Sequence, residues 1–279
     1  MTIELIAIDL DGTLLTPERK ITAKVKETIE IAKTKGIKIV VCTGRPLPGV
    51  SPILEALNLE EEGDYVITYN GALVQQSHNG KAIAHHTLSH KDFLKIEEMS
   101  RQVDVHCHTI DEKYIYTANK DISPYSVRES FLVNMPIHYR TVEEMDPTLE
   151  ISKMMMIDEP DILDAAIAKL PKDFYDEYTI LKSEPFYLEV LNKSASKGQA
   201  LKDLGEILGI PRENMMAIGD NENDKDMIEY AGMGVAMGNA IASVKEISNY
   251  VTDTNEHDGV ATAIEAIAFE NISIDNYTK

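Results

Sequence analysis

The stretch Leu5–Leu15 reads LIAIDLDGTLL, an apolar run that ends in two aspartates one residue apart. Such a run is typical of a strand covered on both faces of a parallel sheet, and Gly12 lets the backbone turn directly after it. Asp9 and Asp11 are therefore predicted at the carboxyl end of the first strand, the edge where open α/β sheets bind ligands. An Asp-x-Asp-Gly sequence also forms simple surface turns, so the pair alone leaves both interpretations open.

The charges of Asp9 and Asp11 make the first interpretation chemically specific. Two unit charges about 4 Å apart repel by roughly 4 kcal/mol at an effective dielectric constant near 20. Both carboxylates can stay ionised only beside a cation. Mg²⁺ is the simplest such cation, because it prefers oxygen ligands, so the pair predicts a magnesium site.

The composition narrows the classes of partner. At 279 residues the chain has room for two domains, and 43% apolar residues allow ordinary buried cores. A formal charge of −20 opposes binding to nucleic acid or to an anionic membrane, because either needs a basic face. Two cysteines are too few for a disulfide framework, and neither a signal sequence nor a membrane-spanning run stands out. We expect a cytoplasmic protein with reduced thiols.

Alternating strand and helix patterns continue after the first motif. Thr22 can cap a helix that Gly36 ends, Ile37–Cys42 is predicted as a buried strand, and Asp64–Gly71 as a third strand that ends in a turn. This order predicts an α/β fold with a doubly wound parallel sheet. The pattern then changes to an α+β texture rich in tyrosine and resumes near Met215. We expect a catalytic core of residues 1–82 and 191–279, and an inserted α+β domain of residues 83–190.

Two further motifs of this core suit an anion. In VVCTGRP, the Thr43 hydroxyl and the backbone amides after it can donate hydrogen bonds to an anion at the sheet edge. The same sequence is also consistent with a capping threonine followed by a turn glycine. In SASKGQ, Lys197 lies in the first turn of a helix capped by Ser196, where its charge opposes the helix dipole. An anion bound at that helix start would make the lysine favourable, because the lysine and the free backbone amides would both face the anion. The alternative is a solvated surface lysine.

The fourth motif, AIGDNENDKDM, places a dense patch of oxygen ligands directly after an apolar strand. The patch suits a hard cation, but its spacing does not match the calcium loop of an EF-hand. An acidic start to the next helix is the alternative, and it accounts for Glu222 and Asp226 better than for Asp220.

These four motifs, in this order and with a large insertion between the second and third, resemble those of the haloacid dehalogenase superfamily. DLDGTLL, TGR, SKG and GDNEND carry the likeness. YNGA and the sequence around GMGVAMGNA resemble its Cof-type branch, and several stretches look closest to the YidA-type sugar phosphatases. The resemblance covers essentially the whole chain. It implies a Rossmann-like core with an inserted cap of type C2 that closes over the site.

The resemblance also implies a reaction and its residues. The chain would be a Mg²⁺-dependent phosphatase of small phosphate monoesters, above all sugar phosphates, acting through an aspartyl-phosphate. Asp9 would be the nucleophile and Asp11 the general acid and base. The remaining implied roles are metal binding by Asp9, Asp11, Asp220 and Asp224, and phosphate binding by Thr43, Gly44, Lys197 and Asn223. Sugar recognition needs a few polar groups around a shaped pocket, and our candidates for it are Arg45, Asn70, Tyr187 and Glu189.

Some alternatives stay open at this point. Glu189 can instead be the solvent-facing member of a strand over Phe186–Leu191. A phosphosugar mutase or other phosphotransferase would share the aspartyl-phosphate, and a non-catalytic phosphosugar sensor would keep the metal site. The expected partner is a small phosphate ester, with no nucleic acid and no membrane, and the chain can be a monomer or a homodimer.

Overall fold

The computed structural model describes residues 2–270, which divide into two compact units. The first unit comprises the chain up to Gly44, Val50–Ala84, and the chain from Ser196 onward; the second comprises Arg45–Gly49 and His85–Ala195. The domain boundaries predicted after residues 82 and 190 lie a few residues from this division and stay a prediction. Met1 and residues 271–279, which the predicted core includes, lie outside the described residues.

The helices and strands follow the predicted alternation closely. In chain order, the strands are β1 (Leu5–Asp9), β2 (Lys38–Cys42), β3 (Tyr65–Thr68), β4 (Leu73–Gln76), β5 (Ala82–His85), β6 (His106–Ile110), β7 (Ile115–Thr117), β8 (Ile137–Tyr139), β9 (Lys153–Ile157), β10 (Tyr178–Glu184), β11 (Tyr187–Asn192), β12 (Met215–Gly219), β13 (Met233–Ala236) and β14 (Tyr250–Val251). The helices are α1 (Ala23–Thr34), α2 (Leu47–Ala56), α3 (His90–Gln102), α4 (Pro124–Val133), α5 (Pro160–Ile167), α6 (Lys172–Glu177), α7 (Lys197–Leu208), α8 (Lys225–Tyr230), α9 (Ala242–Ile247) and α10 (Gly259–Ile264).

The larger sheet has the strand order β14-β13-β12-β1-β2-β3-β4-β5. The strands from β14 to β3 are parallel to one another, whereas β4 is antiparallel to β3. The predicted α/β class with a parallel sheet is therefore confirmed. β1 lies between β12 and β2 and is buried along its whole length, as its apolar run requires. The carboxyl ends of these three strands meet at one edge of the sheet.

Two helices of the first unit begin as their sequences predict. Thr22 caps α1 by accepting a hydrogen bond from the backbone N–H of Val25, and Gly36, with φ of 82°, follows its end. Ser196 caps α7 by accepting from the N–H of Gln199 at 3.1 Å. The second cap determines where α7 begins and therefore where Lys197 lies.

The second unit has its own six-stranded sheet, in the order β10-β11-β9-β6-β7-β8. Its pairs are antiparallel except for β7 and β8. Met154 and Met156 alternate into an apolar core on one face of this sheet, together with Leu188 and Val190. These methionines are core residues, and the predicted α+β texture of the insertion is confirmed. Within residues 2–270, no helix has the length and apolar character needed to cross a bilayer.

Candidate active site

Three carboxylates of the first unit meet at the carboxyl edge of the parallel sheet. Asp9 ends β1 and Asp220 follows β12, the strand paired with β1. Asp224 lies in the 3₁₀ turn after Asp220. The three residues can each offer one oxygen, and these oxygens lie within 4.8 Å of one another. The structure therefore brings together residues of the first and fourth motifs that are far apart in the chain.

Lys197 provides the positive charge of this cluster. Its side chain is buried, and its Nζ donates to Asp9 Oδ1 at 2.5 Å and to Asp224 Oδ1 at 2.6 Å. The alternative of a solvated surface lysine is therefore wrong. A lysine at the start of a helix is unfavourable for the helix dipole, but here two carboxylates compensate its charge.

Asp224 is fully buried, and both of its oxygens accept hydrogen bonds. Oδ1 accepts from Lys197, whereas Oδ2 accepts from the backbone N–H groups of Asp220 at 2.9 Å and Asn221 at 3.0 Å. A Cβ on Gly219 would lie 2.5 Å from the Asp224 Cβ, so the turn needs glycine before Asp220. Asp224 thus holds both the lysine and the loop that carries Asp220.

Thr13 and Gly12, which follow the aspartate pair, shape the position of Asp220. The Thr13 hydroxyl donates to Asp220 Oδ1 at 2.8 Å. Gly12 has φ of 89°, and a Cβ there would lie 2.6 Å from Asp220 Oδ2. Sequence reasoning did not single out Thr13. The only local signal was a hydroxyl directly after the turn glycine, and its partner lies 207 positions away.

Asp9 and Asp11 lie in different surroundings. Asp9 is only 6% exposed at the strand end. Asp11 lies on the turn, where its side chain is exposed and its backbone forms an isolated bridge with Leu15. The two carboxylates of one motif are therefore not equivalent, as a division of roles between them would require.

Burial makes the carboxylate cluster costly to ionise. Burial raises the pKa of Asp9 well above its ordinary value, the Asp224 charge raises it further, and Lys197 opposes both effects. Burial also raises the pKa of Asp220 to about 6. Burial alone would lower the pKa of Lys197, but the carboxylates of Asp224 and Asp9 outweigh it and raise that pKa.

Three carboxylates beside one buried lysine leave an excess of negative charge. A divalent cation would compensate this excess, and a donor set made only of oxygens fits a hard cation such as Mg²⁺. Asp9 and Asp220 offer the side chains for it. The predicted metal-binding roles of Asp9, Asp220, Asp224 and the Asp11 carbonyl stay predictions.

The pKa shift of Asp220 predicts a specific pH dependence of stability. Its folded-state pKa is about 6 against an ordinary 3.8, so its contribution to metal-free stability is present below pH 4 and is lost as the pH rises through about 6. The Asp220→Asn variant, which cannot ionise, should gain stability relative to the unsubstituted protein between pH 4 and pH 7. Denaturant unfolding with chelator at both pH values measures this difference. Saturating Mg²⁺ should stabilise the unsubstituted protein more at pH 7 than at pH 4. The opposite trend would contradict the prediction that ionised Asp220 helps to bind the metal.

The predicted phosphate-binding residues are connected through Asn70. Thr43 is buried, and its carbonyl accepts from the Asn70 N–H at 2.9 Å. A Cβ on Gly44 would lie 2.9 Å from Asn70 Nδ2. Asn70 Oδ1 accepts from Asn223 Nδ2 at 3.0 Å. The structure therefore brings Thr43, Gly44 and Asn223 together around Asn70, which was predicted only as a sugar contact. The backbone of Asn70 contacts Thr43, and its side chain lies against Gly44 and contacts Asn223.

The turn Tyr69–Gly71 that carries Asn70 has an unusual backbone. Its three residues have φ of 51°, 53° and 91°, in the left-handed region that non-glycine residues seldom adopt. A Cβ on Gly71 would lie 2.0 Å from the Ser196 carbonyl oxygen, so the third position accepts only glycine. The turn thus packs directly against the start of α7, the helix that carries Lys197.

Asn70 should contribute to activity through its side chain and to stability through its backbone. Asn70→Gly keeps the positive φ but removes the hydrogen bond to Asn223, so we expect a loss of about 2- to 10-fold in kcat/KM with an almost unchanged melting temperature. Asn70→Ala should lose the same activity and, in addition, about 1 kcal/mol of stability, because alanine lacks the short polar side chain through which asparagine tolerates positive φ. Steady-state kinetics and thermal unfolding of both variants test this. Unchanged kinetics in both would show that the carboxamide has no role.

The structure groups Arg45, Tyr187 and Glu189 with the second unit. The Tyr187 hydroxyl donates to the Tyr125 carbonyl at 2.9 Å, and Glu189 Oε1 accepts from Lys153 Nζ at 3.1 Å. The alternative that Glu189 faces solvent is wrong, because the residue is 4% exposed on β11, an interior strand between β10 and β9. The role of these three residues in recognising a sugar stays a prediction.

Comparison with known proteins agrees with this geometry. Residues 6–264 match the family model described as haloacid dehalogenase-like hydrolase. The chain belongs to this family. A Streptococcus pyogenes protein named "Putative phosphatase M6_Spy0533" is 50% identical over 95% of this chain and 98% of its own length. A Bacillus subtilis protein named "Putative phosphatase YxeH" is 45% identical over the same shares of the two chains.

A solved structure supports the fold assignment of this family member. The crystal structure of a haloacid dehalogenase-like hydrolase from Bacteroides thetaiotaomicron has a TM-score of 0.83 and 34% identity, and the match covers 95% of this chain and 100% of that one. The family match and the named relatives together support a phosphatase enzyme.

Proposed function

We propose that this family member is a Mg²⁺-dependent phosphatase that hydrolyses small phosphate monoesters, above all sugar phosphates, through an aspartyl-phosphate formed on Asp9. The observation that carries the proposal is the buried contact of Lys197 Nζ with Asp9 Oδ1 at 2.5 Å, beside Asp220 and Asp224. This arrangement holds one carboxylate oxygen against a cation at the edge of the sheet that favours ligand binding. It suits a nucleophile that must stay ionised although it is buried.

In the proposed reaction, a carboxylate oxygen of Asp9 attacks phosphorus, and the bond between phosphorus and the ester oxygen breaks. Asp11 donates a proton to the departing alkoxide. In the second half, Asp11 takes a proton from a water molecule that attacks phosphorus, which releases phosphate and regenerates the Asp9 carboxylate. The buried position of Asp9 and the exposed position of Asp11 support this division of roles.

The remaining residues are proposed to bind the phosphoryl group. Lys197 and Asn223, together with the Thr43 hydroxyl and the Gly44 amide, are assigned to its oxygens, where negative charge must be stabilised in the transition state. Asn70 supports this assignment, since it contacts Asn223 and lies against Gly44. A bound Mg²⁺ ion, held by Asp9, Asp220 and the Asp11 carbonyl, would supply charge stabilisation for the same group.

The substrate class is proposed from the resemblance to sugar phosphatases and from a named relative. A Bacillus subtilis protein, 35% identical over 94% of each chain, is named "5-amino-6-(5-phospho-D-ribitylamino)uracil phosphatase YcsE". The compound in that name carries a phosphate monoester on a chain derived from a sugar. Sugar phosphates and this phosphoribityl compound are therefore the substrates to test first.

The test is phosphate release from a panel of sugar phosphates, the phosphoribityl compound, nucleotides and an aryl phosphate, with Mg²⁺ or with chelator. We expect release that needs Mg²⁺, is lost on chelation, and is fastest on a phosphorylated sugar or sugar alcohol. Conversion of a phosphosugar to an isomer without free phosphate would instead identify a mutase. Binding of phosphosugars without any turnover would identify a sensor.

A further inference from the structure

The first turn of α7 is held from outside its own helix. Its N-cap, Ser196, accepts from the Gln199 N–H. The N–H of Gly198 instead donates to Asp226 Oδ2 at 3.0 Å. Asp226 lies 28 positions further along the chain, in the first turn of α8. Gly198 directly follows Lys197, so this hydrogen bond fixes the backbone from which the lysine side chain extends.

Gly198 and Asp226 are also in close steric contact. A Cβ on Gly198 would lie 2.6 Å from the carbonyl carbon and oxygen of Asp226, a separation that real Cβ atoms do not tolerate. The two helices therefore approach backbone to backbone at this point, and glycine is required for it. The hydrogen bond and the close approach lie at the same residue pair, one position from Lys197.

The local role of Asp226 does not account for this contact. An acidic residue in the first turn of a helix is favourable for the helix dipole, and Asp226 Oδ1 indeed accepts from the N–H of Met227 at 3.0 Å. That interaction uses one carboxylate oxygen. The other oxygen, Oδ2, accepts the hydrogen bond from Gly198 of α7. A favourable interaction with the dipole of α8 does not explain this second hydrogen bond.

We propose that Asp226 is a positioning residue, whose carboxylate holds the first turn of α7 against α8 and thereby holds Lys197 Nζ between Asp9 and Asp224. This inference rests on the proposed function, since it concerns the lysine assigned to the reaction. Lys197 makes its two contacts at 2.5 and 2.6 Å from a fully buried position. A small shift of its backbone therefore weakens contacts on which the nucleophile depends.

The test compares Asp226→Ala with Asp226→Asn. Alanine removes the acceptor for the Gly198 N–H. Asparagine keeps one acceptor oxygen, which can face the Gly198 N–H, and gives up the charge and the second acceptor, which faces the Met227 N–H. Glu229→Ala, an exposed carboxylate of the same helix, is the matched control. We expect Asp226→Ala to lower kcat by about 10- to 100-fold with KM nearly unchanged, as observed when partners that orient metal or catalytic groups are removed. Asp226→Asn should recover most of the lost kcat, and Glu229→Ala should behave like the unsubstituted enzyme.

A second readout does not depend on turnover. Amide hydrogen exchange in the first turn of α7 should become faster in Asp226→Ala and should stay slow in Asp226→Asn. If the unsubstituted protein releases phosphate but Asp226→Ala matches it in kcat, the positioning role is overturned. The role is equally overturned if Asp226→Asn is as slow as Asp226→Ala while exchange in α7 is unchanged in both. Absence of phosphate release from the unsubstituted protein would instead contradict the proposed function, and the exchange experiment would still decide whether Asp226 holds α7.

Discussion

Asp9→Asn is expected to abolish phosphate release while the protein stays folded. An amide cannot attack phosphorus to form the acyl-phosphate, so the rate should fall by about 10⁴-fold or more, to what binding and electrostatic stabilisation alone provide. The side chain keeps its shape. Because burial and the Asp224 charge raise the pKa of Asp9, replacing it by a neutral group removes a costly buried charge. We therefore expect the metal-free variant to unfold at a temperature no lower than that of the unsubstituted protein.

The measurement is phosphate release with Mg²⁺ on the best substrate of the panel, together with thermal unfolding in chelator. Glu60→Gln, an exposed carboxylate of the first unit converted to the same kind of amide, is the control and should change neither result. Turnover at a normal rate in Asp9→Asn would eliminate Asp9 as the nucleophile. Lost turnover accompanied by a large loss of stability would not separate the role of Asp9 in folding from its role in chemistry. Asp9→Ala, which has neither the charge nor a nucleophilic oxygen, is the second variant that decides between them.

Lys197→Met is expected to impair both activity and stability. Removing a cation assigned to the transition state typically costs about 10²- to 10³-fold in rate. Methionine fills a similar volume but leaves Asp9 and Asp224 without their buried partner, and breaking a buried ion pair on one side costs about 3–5 kcal/mol. Thermal unfolding and kinetics at neutral pH should therefore both show large losses.

The stability loss in Lys197→Met should depend on pH in a defined direction. Lys197 lowers the pKa of Asp9, so its removal raises that pKa further above the unfolded value. A carboxyl group with a raised folded-state pKa destabilises the protein as the pH rises through that pKa. The difference in unfolding free energy between Lys197→Met and the unsubstituted protein should consequently be larger at pH 8 than at pH 5.

Lys202→Met is the matched control, because Lys202 lies on the same helix with an exposed side chain. It should leave the rate and the melting temperature nearly unchanged at both pH values. An equal stability loss in Lys197→Met at pH 5 and pH 8 would contradict the view that ionised carboxylates are its cause. Full activity in Lys197→Met would contradict its assignment to the phosphoryl group.

Local sequence patterns predicted the elements of this fold well. The apolar runs before Asp9 and Asp220 predicted buried strands, and both are confirmed as neighbours in a parallel sheet. The cap residues Thr22 and Ser196 predicted the helix starts, because a capping hydrogen bond involves only residues two or three apart. The alternative of a solvent-facing Glu189 was wrong, since strand alternation shows which residues share a face but not whether the other face of the sheet is covered.

The sequence by itself determined the fold class, the family resemblance and the residue types that gather at one edge of the sheet. These follow from patterns within a few residues and from the rule that parallel strands end at a common edge. Only the tertiary structure decided that Lys197 is buried between Asp9 and Asp224, that Asn70 contacts residues predicted to bind phosphate, and that Asp226 accepts a hydrogen bond from the first turn of α7. Lys197 and Asp9 are 188 positions apart, and no local pattern encodes a contact that depends on strand order and on how closely two helices approach.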